Sequence, residues 1–179
     1  MPLPPSLPGL RCRTVDLRGT PLFYRIGGQG PALLLLHGWT LDGSLWMPLL
    51  TALMRHHRVL AVDRRGFGRS SGQASVEREV ADLTVLCRRL GITNPAVIGM
   101  SQATRVALRL AQSRALSVRA LVLDGPPPPQ AVDPQGAENP PMSRYRDLVA
   151  SAGLGAFRAL WRTHPLVTHH SRQWPLAGA

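Results

Sequence analysis

Four short apolar runs, Ala32–Leu36, Val59–Val62, Ala96–Met100 and Ala120–Leu123, limit what this chain can become. None of them alternates apolar with polar residues, so each reads as a strand covered on both faces. Segments with helical periodicity lie between them. Ser75 caps a helix with Val76, Val80, Leu83, Leu86 and Leu90 on one stripe, Glu77 and Glu79 in its first turn and Arg88–Arg89 in its last. Gly91 stops it. After Ser101 a second stripe is formed by Ala103, Val106, Ala107, Leu110 and Ala111, with Arg105, Arg109 and Arg114 on the water side. A third helix is expected over Ser44–Arg55, with Pro48 in its first turn and Leu45, Leu49, Ala52 and Leu53 on its apolar face. Alternation of this kind builds a mostly parallel sheet with right-handed crossovers and helices on both faces. Arg13–Leu17 and Leu22–Ile26, joined through Arg18–Pro21, add an antiparallel pair and bring the count to about six strands.

Sheets of this class bind ligands at the carboxyl ends of their strands. His37, Asp63, Ser101 and Asp124 each follow a strand end, which places them on one rim. Gly99-Met100-Ser101-Gln102-Ala103 turns a strand into a helix at once, the layout of a nucleophile elbow. The elbow holds its serine in a strained conformation with Oγ projecting. It needs small residues two before and two after, because strand and helix backbones nearly touch. Gly99 meets the first requirement, and Ala103 stands where a second glycine is usual. His37-Gly38-Trp39 reads either as a plain turn or as an oxyanion loop, in which the N–H groups of Trp39 and Gln102 would face the site. His37 is expected to brace that loop rather than to act as a base. In Asp63-Arg64-Arg65-Gly66-Phe67-Gly68-Arg69-Ser70, the Gly-x-Gly lacks the third glycine of a phosphate loop, and Asp63 is expected to pin the loop by accepting from its amides.

Formal charge is +11 and the isoelectric point near 11.6, which raises the question of a nucleic-acid or anionic-membrane partner. All 21 basic residues are arginines, scattered without a run longer than Arg64–Arg65 or Arg88–Arg89, and no nucleic-acid motif accompanies them. The expectation is therefore no nucleic-acid partner, with the arginines on solvated helix faces. Cys12 and Cys87 form neither a disulfide framework nor a metal-ligand spacing, and Cys87 falls on a helix as a core or boundary residue. The proline-broken start Met1–Pro8 does not resemble a signal peptide, and no apolar run reaches membrane-spanning length, so a soluble cytoplasmic protein is expected. Residues 1–12 form a Pro-rich lead, 13–125 the core, and 126–179 a linker followed by short helices at Met142–Ala152 and Leu154–Arg162.

Taken in order, His37-Gly38-Trp39, Asp63 to Ser70, Gly99 to Ala103 and Leu121-Val122-Leu123-Asp124-Gly125 resemble the α/β-hydrolase superfamily. The likeness is to its bacterial esterase, lactonase and carbon–carbon hydrolase branch, and covers roughly residues 13–125. It implies Ser101 as nucleophile, Trp39 and Gln102 as oxyanion donors, and an acyl-enzyme route on small carboxylic esters or related acyl compounds. It implies no cofactor and no metal. It also implies that residues 140–162 begin a helical lid. In the family the acid usually follows the seventh strand and the histidine the eighth. The resemblance therefore implies a chain lacking its last two strands and the family histidine, with hydrolysis impaired.

Asp124 is a candidate acid; the competing reading is a strand-end residue that satisfies loop amides. His164, His169 and His170 are the late histidines available as a replacement base. The alternative function is a non-catalytic hydrolase-fold fragment or interaction module, self-associating through the exposed edge of the Ala120–Leu123 strand.

Overall fold

Aliphatic runs without alternation are stable as strands only where helices cover both of their faces. The computed structural model, which describes residues 7–127 and 142–164, has this arrangement at Ala32–Leu36, Arg58–Val62 and Ala96–Met100, whereas Ala120–Asp124, expected to be covered as well, is largely exposed among the described residues. The chain divides into two compact units, Met1–Pro127 and Pro128–Ala179. In the first, strands β1 (Arg11–Asp16), β2 (Pro21–Gly27), β3 (Ala32–Leu36), β4 (Arg58–Val62), β5 (Ala96–Met100) and β6 (Ala120–Asp124) form one sheet in the order β1-β2-β4-β3-β5-β6. β1–β2 and β2–β4 pair antiparallel, and β4, β3, β5 and β6 run parallel. The chain leaves β3 for β4 on one side and returns across it to β5 on the other. Strand order therefore reverses at β3, and the loops after β3 and β5 flank the crevice where such sheets bind ligands. Register sets the level of that rim, because Leu36 pairs with both Val62 and Gly99, and Met100 pairs with Asp124.

Period-two alternation divides the core between the faces. Leu34, Leu36, Leu60, Val62 and Val97 pack with Val80, Leu83 and Leu86 of α2 (Val76–Arg89) and with Val106, Ala107 and Leu110 of α3 (Ala103–Gln112). Ser75 Oγ accepts the Arg78 N–H at the start of α2, as its sequence predicts. Cys87 is buried in this layer, and burial pushes its thiol up to about 12. On the other face, Leu33, Leu35, Val59 and Ala61 pack with Trp46 and Leu50.

The helix on that second face corrects the sequence reading. It begins as a 3-10 turn, Gly43–Trp46, and continues as α1, Met47–Leu53. Leu50 is buried, whereas Leu49 is 52% exposed and Ala52 also faces water. The docked face therefore runs through Trp46 and Leu50, with the expected Leu45 and Leu53 half-buried at its margins, because the side chains that meet the sheet are selected when the helix docks on it.

Among the described residues β6 pairs only with β5, and Val122 and Leu123 on it are 51% and 39% exposed. In the second unit, α4 (Met142–Arg162) breaks at Gly153, whose φ of 78° lies in the left-handed region. The two short helices read from the sequence thus meet at that glycine. Tyr145 packs edge-on against Phe157 and Trp161, with centroids 5.4 and 5.8 Å away. Among the described residues no helix is long and apolar enough to cross a membrane.

Close approach of β5 and α3 rests on Gly99. A Cβ there would stand 2.8 Å from Ala107 Cβ and 2.9 Å from the Ala103 carbonyl oxygen. Gly99→Ala is therefore expected to destabilise the fold by about 1–3 kcal/mol, measured as a lower denaturation midpoint; an unchanged midpoint would show that strand and helix are not in contact there.

Candidate active site

Ser101 joins β5 to α3 with φ of 51°, a conformation few non-glycine residues adopt. Three hydrogen bonds hold it there. Its N–H donates to the Asp124 carbonyl at 2.7 Å, and its carbonyl accepts from Thr104 N at 3.0 Å and Thr104 Oγ1 at 2.7 Å. Ala103, at the second small position, is fully buried in the α2–α3 layer, so its methyl is absorbed by the core. The loop after β3 comes directly against the serine: a Cβ on Gly38 would lie 3.3 Å from Ser101 Cβ. Trp39 comes next in the chain, and Thr40, with φ of 63°, donates its Oγ1 proton to the Trp39 carbonyl at 2.6 Å. Gln102 caps α3, so its N–H belongs to a first turn that has no intrahelical acceptor. The structure thus brings Gly38 and the stretch Trp39–Thr40 to the same corner as Ser101 and Gln102.

His37 and Asp63 supply the scaffold of this rim. The fully buried His37 accepts the Arg64 N–H on Nε2 at 3.0 Å. Its proton is therefore on Nδ1, which donates to the Gly38 carbonyl at 2.8 Å. Burial lowers its pKa from 6.5 to about 4, with Arg64 adding to the effect, so the ring is neutral and occupied at both nitrogens. It braces the loop, as expected. Asp63 Oδ1 accepts from Gly43 N at 2.9 Å and Arg25 Nη1 at 2.6 Å, while Oδ2 accepts from Arg69 N at 2.9 Å. The two glycines of its loop serve the turn, Gly66 with φ of 78° and Gly68 packed against the Asp63 carboxylate.

Three arginines depart from the solvated faces assigned to them. Arg25, Arg64 and Arg65 are buried. Arg65 grips Asp82 through Nε at 2.6 Å and Nη2 at 2.9 Å, and this raises the arginine's pKa. Arg64 grips Glu79 through Nε at 2.6 Å and Nη2 at 3.2 Å. Burial raises the Glu79 pKa, with the Arg64 hydrogen bond working the other way. The signal for these pairs was present in the sequence: Glu79 and Asp82 fall on the same side of α2 as its apolar stripe, where unpaired carboxylates do not belong.

Asp124 reaches Ser101 only through its backbone carbonyl. Its side chain is exposed, and among the described residues the carboxylate has no hydrogen-bond partner, so it does not satisfy loop amides. His164, in the second unit, stacks on Trp161 with centroids 4.7 Å apart. His169 and His170 lie outside the described residues. A cavity of about 570 Å³ opens at the opposite end of the sheet, lined by Arg11, Arg13, Arg58, Tyr24 and Met54 among others; none of the rim residues borders it.

Comparison with known proteins agrees with this fold. A family model described as the alpha/beta hydrolase fold matches residues 31–175. The chain belongs to the α/β-hydrolase fold family. It is 32% identical to a non-heme haloperoxidase of Rhodococcus erythropolis over 142 residues, covering 74% of this chain and 52% of that protein. It is 37% identical to the pimeloyl-[acyl-carrier protein] methyl ester esterase of Vibrio cholerae over 89 residues, 49% of this chain and 35% of the esterase. Among solved structures, an α/β hydrolase from Sphaerobacter thermophilus superposes with a TM-score of 0.70 at 30% identity, over 91% of this chain and 66% of that one. An epoxide hydrolase from an endophytic Streptomyces gives 0.59 at 31%, over 65% and 37%. The chain spans about half the length or less of the curated relatives it matches.

The depressed His37 pKa fixes a pH dependence. The folded state binds fewer protons than the unfolded chain between pH 6.5 and about 4, so stability is complete above that window and is lost as pH falls through it. The loss amounts to roughly 3 kcal/mol. Urea unfolding of wild type and His37→Gln at neutral and acidic pH should therefore converge, the variant lacking this component; parallel profiles would assign the acid sensitivity elsewhere.

Proposed function

We propose that this chain carries the nucleophile and oxyanion half of a serine hydrolase acting on small carboxylic esters or related acyl compounds. The observation that carries this reading is Ser101 at φ of 51° with Gly38 packed against its Cβ. Ser101 Oγ attacks the carbonyl carbon, and the C=O electron pair moves onto oxygen. The N–H groups of Trp39 and Gln102 receive that charge as it develops. Collapse breaks the ester C–O bond, the serine proton passing through water to the departing oxygen, which leaves as the alcohol; water then cleaves the acyl-serine, releasing the acid and restoring the hydroxyl. The hydroxyl proton needs an acceptor, and His37 is unsuited, being buried, neutral and engaged at both nitrogens. Among the described residues of the first unit no imidazole hydrogen-bonds Ser101, so turnover by these residues alone is slow, supported by binding and the oxyanion donors.

A fluorophosphonate probe tests this directly. The expected result is labelling that disappears in Ser101→Ala and accelerates when imidazole is added as an external base. A folded wild-type chain that stays unlabelled with imidazole present would remove the nucleophile assignment.

The second reading is a hydrolase-fold module that associates with a copy of itself through β6. It is favoured by the half-exposed Val122 and Leu123 on an edge strand. Sedimentation should then show a concentration-dependent dimer that Val122→Lys weakens. A monomer at all concentrations would count against it.

A further inference from the structure

A guanidinium carries five N–H donors in a fixed plane, and one withdrawn from water needs an acceptor for each. Arg64, only 3% exposed, has all five engaged. Nε and Nη2 hold Glu79. Nη1 donates to the His37 carbonyl at 3.0 Å, and Nη1 and Nη2 both point to Gln102 Oε1, at 3.4 and 3.3 Å. The guanidinium lies over the Phe67 ring, 5.1 Å from its centroid. One rigid cation therefore touches the residue that starts the Gly38–Trp39 loop and the residue just after the nucleophile. These are the two chain segments from which the oxyanion donors come.

We propose that Arg64 is a positioning residue that fixes the spacing of the two oxyanion donors by tying His37 and Gln102 to one buried guanidinium. The inference rests on the serine hydrolase reading above. Its physical basis is the freedom at Gly38, which lets the next amide rotate unless the carbonyl before it is held. Gln102 sits before the first residue of α3, where side-chain anchoring restricts the first turn. Oxyanion donors contribute most when they are already 2.7–3.1 Å from the position of the developing charge. Glu79 balances the charge of Arg64, so the arginine acts through geometry rather than as a bare cation.

Replacing Arg64 would strand Glu79 in the core, so the test uses the other end of the tie. Gln102→Met keeps the backbone N–H and the side-chain length and removes the acceptor. The rate of Ser101 labelling by a fluorophosphonate, with imidazole present, is expected to fall about 10- to 100-fold in protein that is still folded at the assay temperature, with the thermal midpoint lowered only modestly by the two guanidinium donors left unpartnered. Gln102→Glu, which restores an acceptor for the guanidinium, should recover most of that loss. Labelling of Gln102→Met at the wild-type rate overturns the tie while leaving the hydrolase reading intact. A drop in rate accounted for by unfolding at the assay temperature, without recovery in Gln102→Glu, assigns Arg64 to stability alone and overturns it as well. A folded wild-type chain that never reacts removes both.

Discussion

Burying a charge inside a fold this small commits its surroundings to one geometry, because each donor left without a partner costs as much as an ordinary mutation. Arg64 is the place where that commitment is made. Its backbone N–H fixes the His37 ring, its side chain holds the His37 carbonyl, and its Nε and Nη2 reach α2 through Glu79. Arg65 repeats the link one residue later with Asp82 and Thr20, and Asp63 closes the other side with Arg25 and the amides of Gly43 and Arg69. Three consecutive residues at the end of β4 therefore tie the loop after β3, helix α2 and the β1–β2 hairpin into one rim.

Against that rim stands a second constraint, the turn at Ser101. A positive φ on a residue with a side chain persists only where neighbours over-determine it. The Asp124 carbonyl below, the Thr104 hydroxyl ahead and the absence of a side chain at Gly38 do so here. Gly99 allows the approach, since its missing Cβ is filled by Ala107 and the Ala103 carbonyl. Strain and polar network meet at Gln102, the residue that belongs to both.

Much of this was legible in the linear chain, for particular reasons. Unbroken aliphatic runs read as strands, although whether both faces are covered is settled by neighbours, as exposed β6 shows, and Ser75, Gly91 and Pro48 mark helix ends by chemistry that needs no tertiary context. The elbow was readable because Gly99, Ser101 and Ala103 are spaced by the geometry of the turn itself. The face of α1 was readable only in part: Leu45 and Leu53 pack as expected, but its centre lies on Trp46 and Leu50 because docking on the sheet selects which side chains are buried. The buried arginines were missed because side-chain burial depends on which elements become neighbours, and Glu79 is 15 residues from Arg64 along the chain.

Sequence alone determined the strands, the α2 and α3 stripes and the tight corner at Ser101. These arise from local sterics, capping and periodicity, which act over a few residues. Tertiary structure decided the strand order, the buried face of α1, the pairing of Arg64 with Glu79 and Arg65 with Asp82, and the seat of Gly38 against Ser101. Each of these is a contact between segments distant in the chain, and its free energy exists only once the sheet has brought them together.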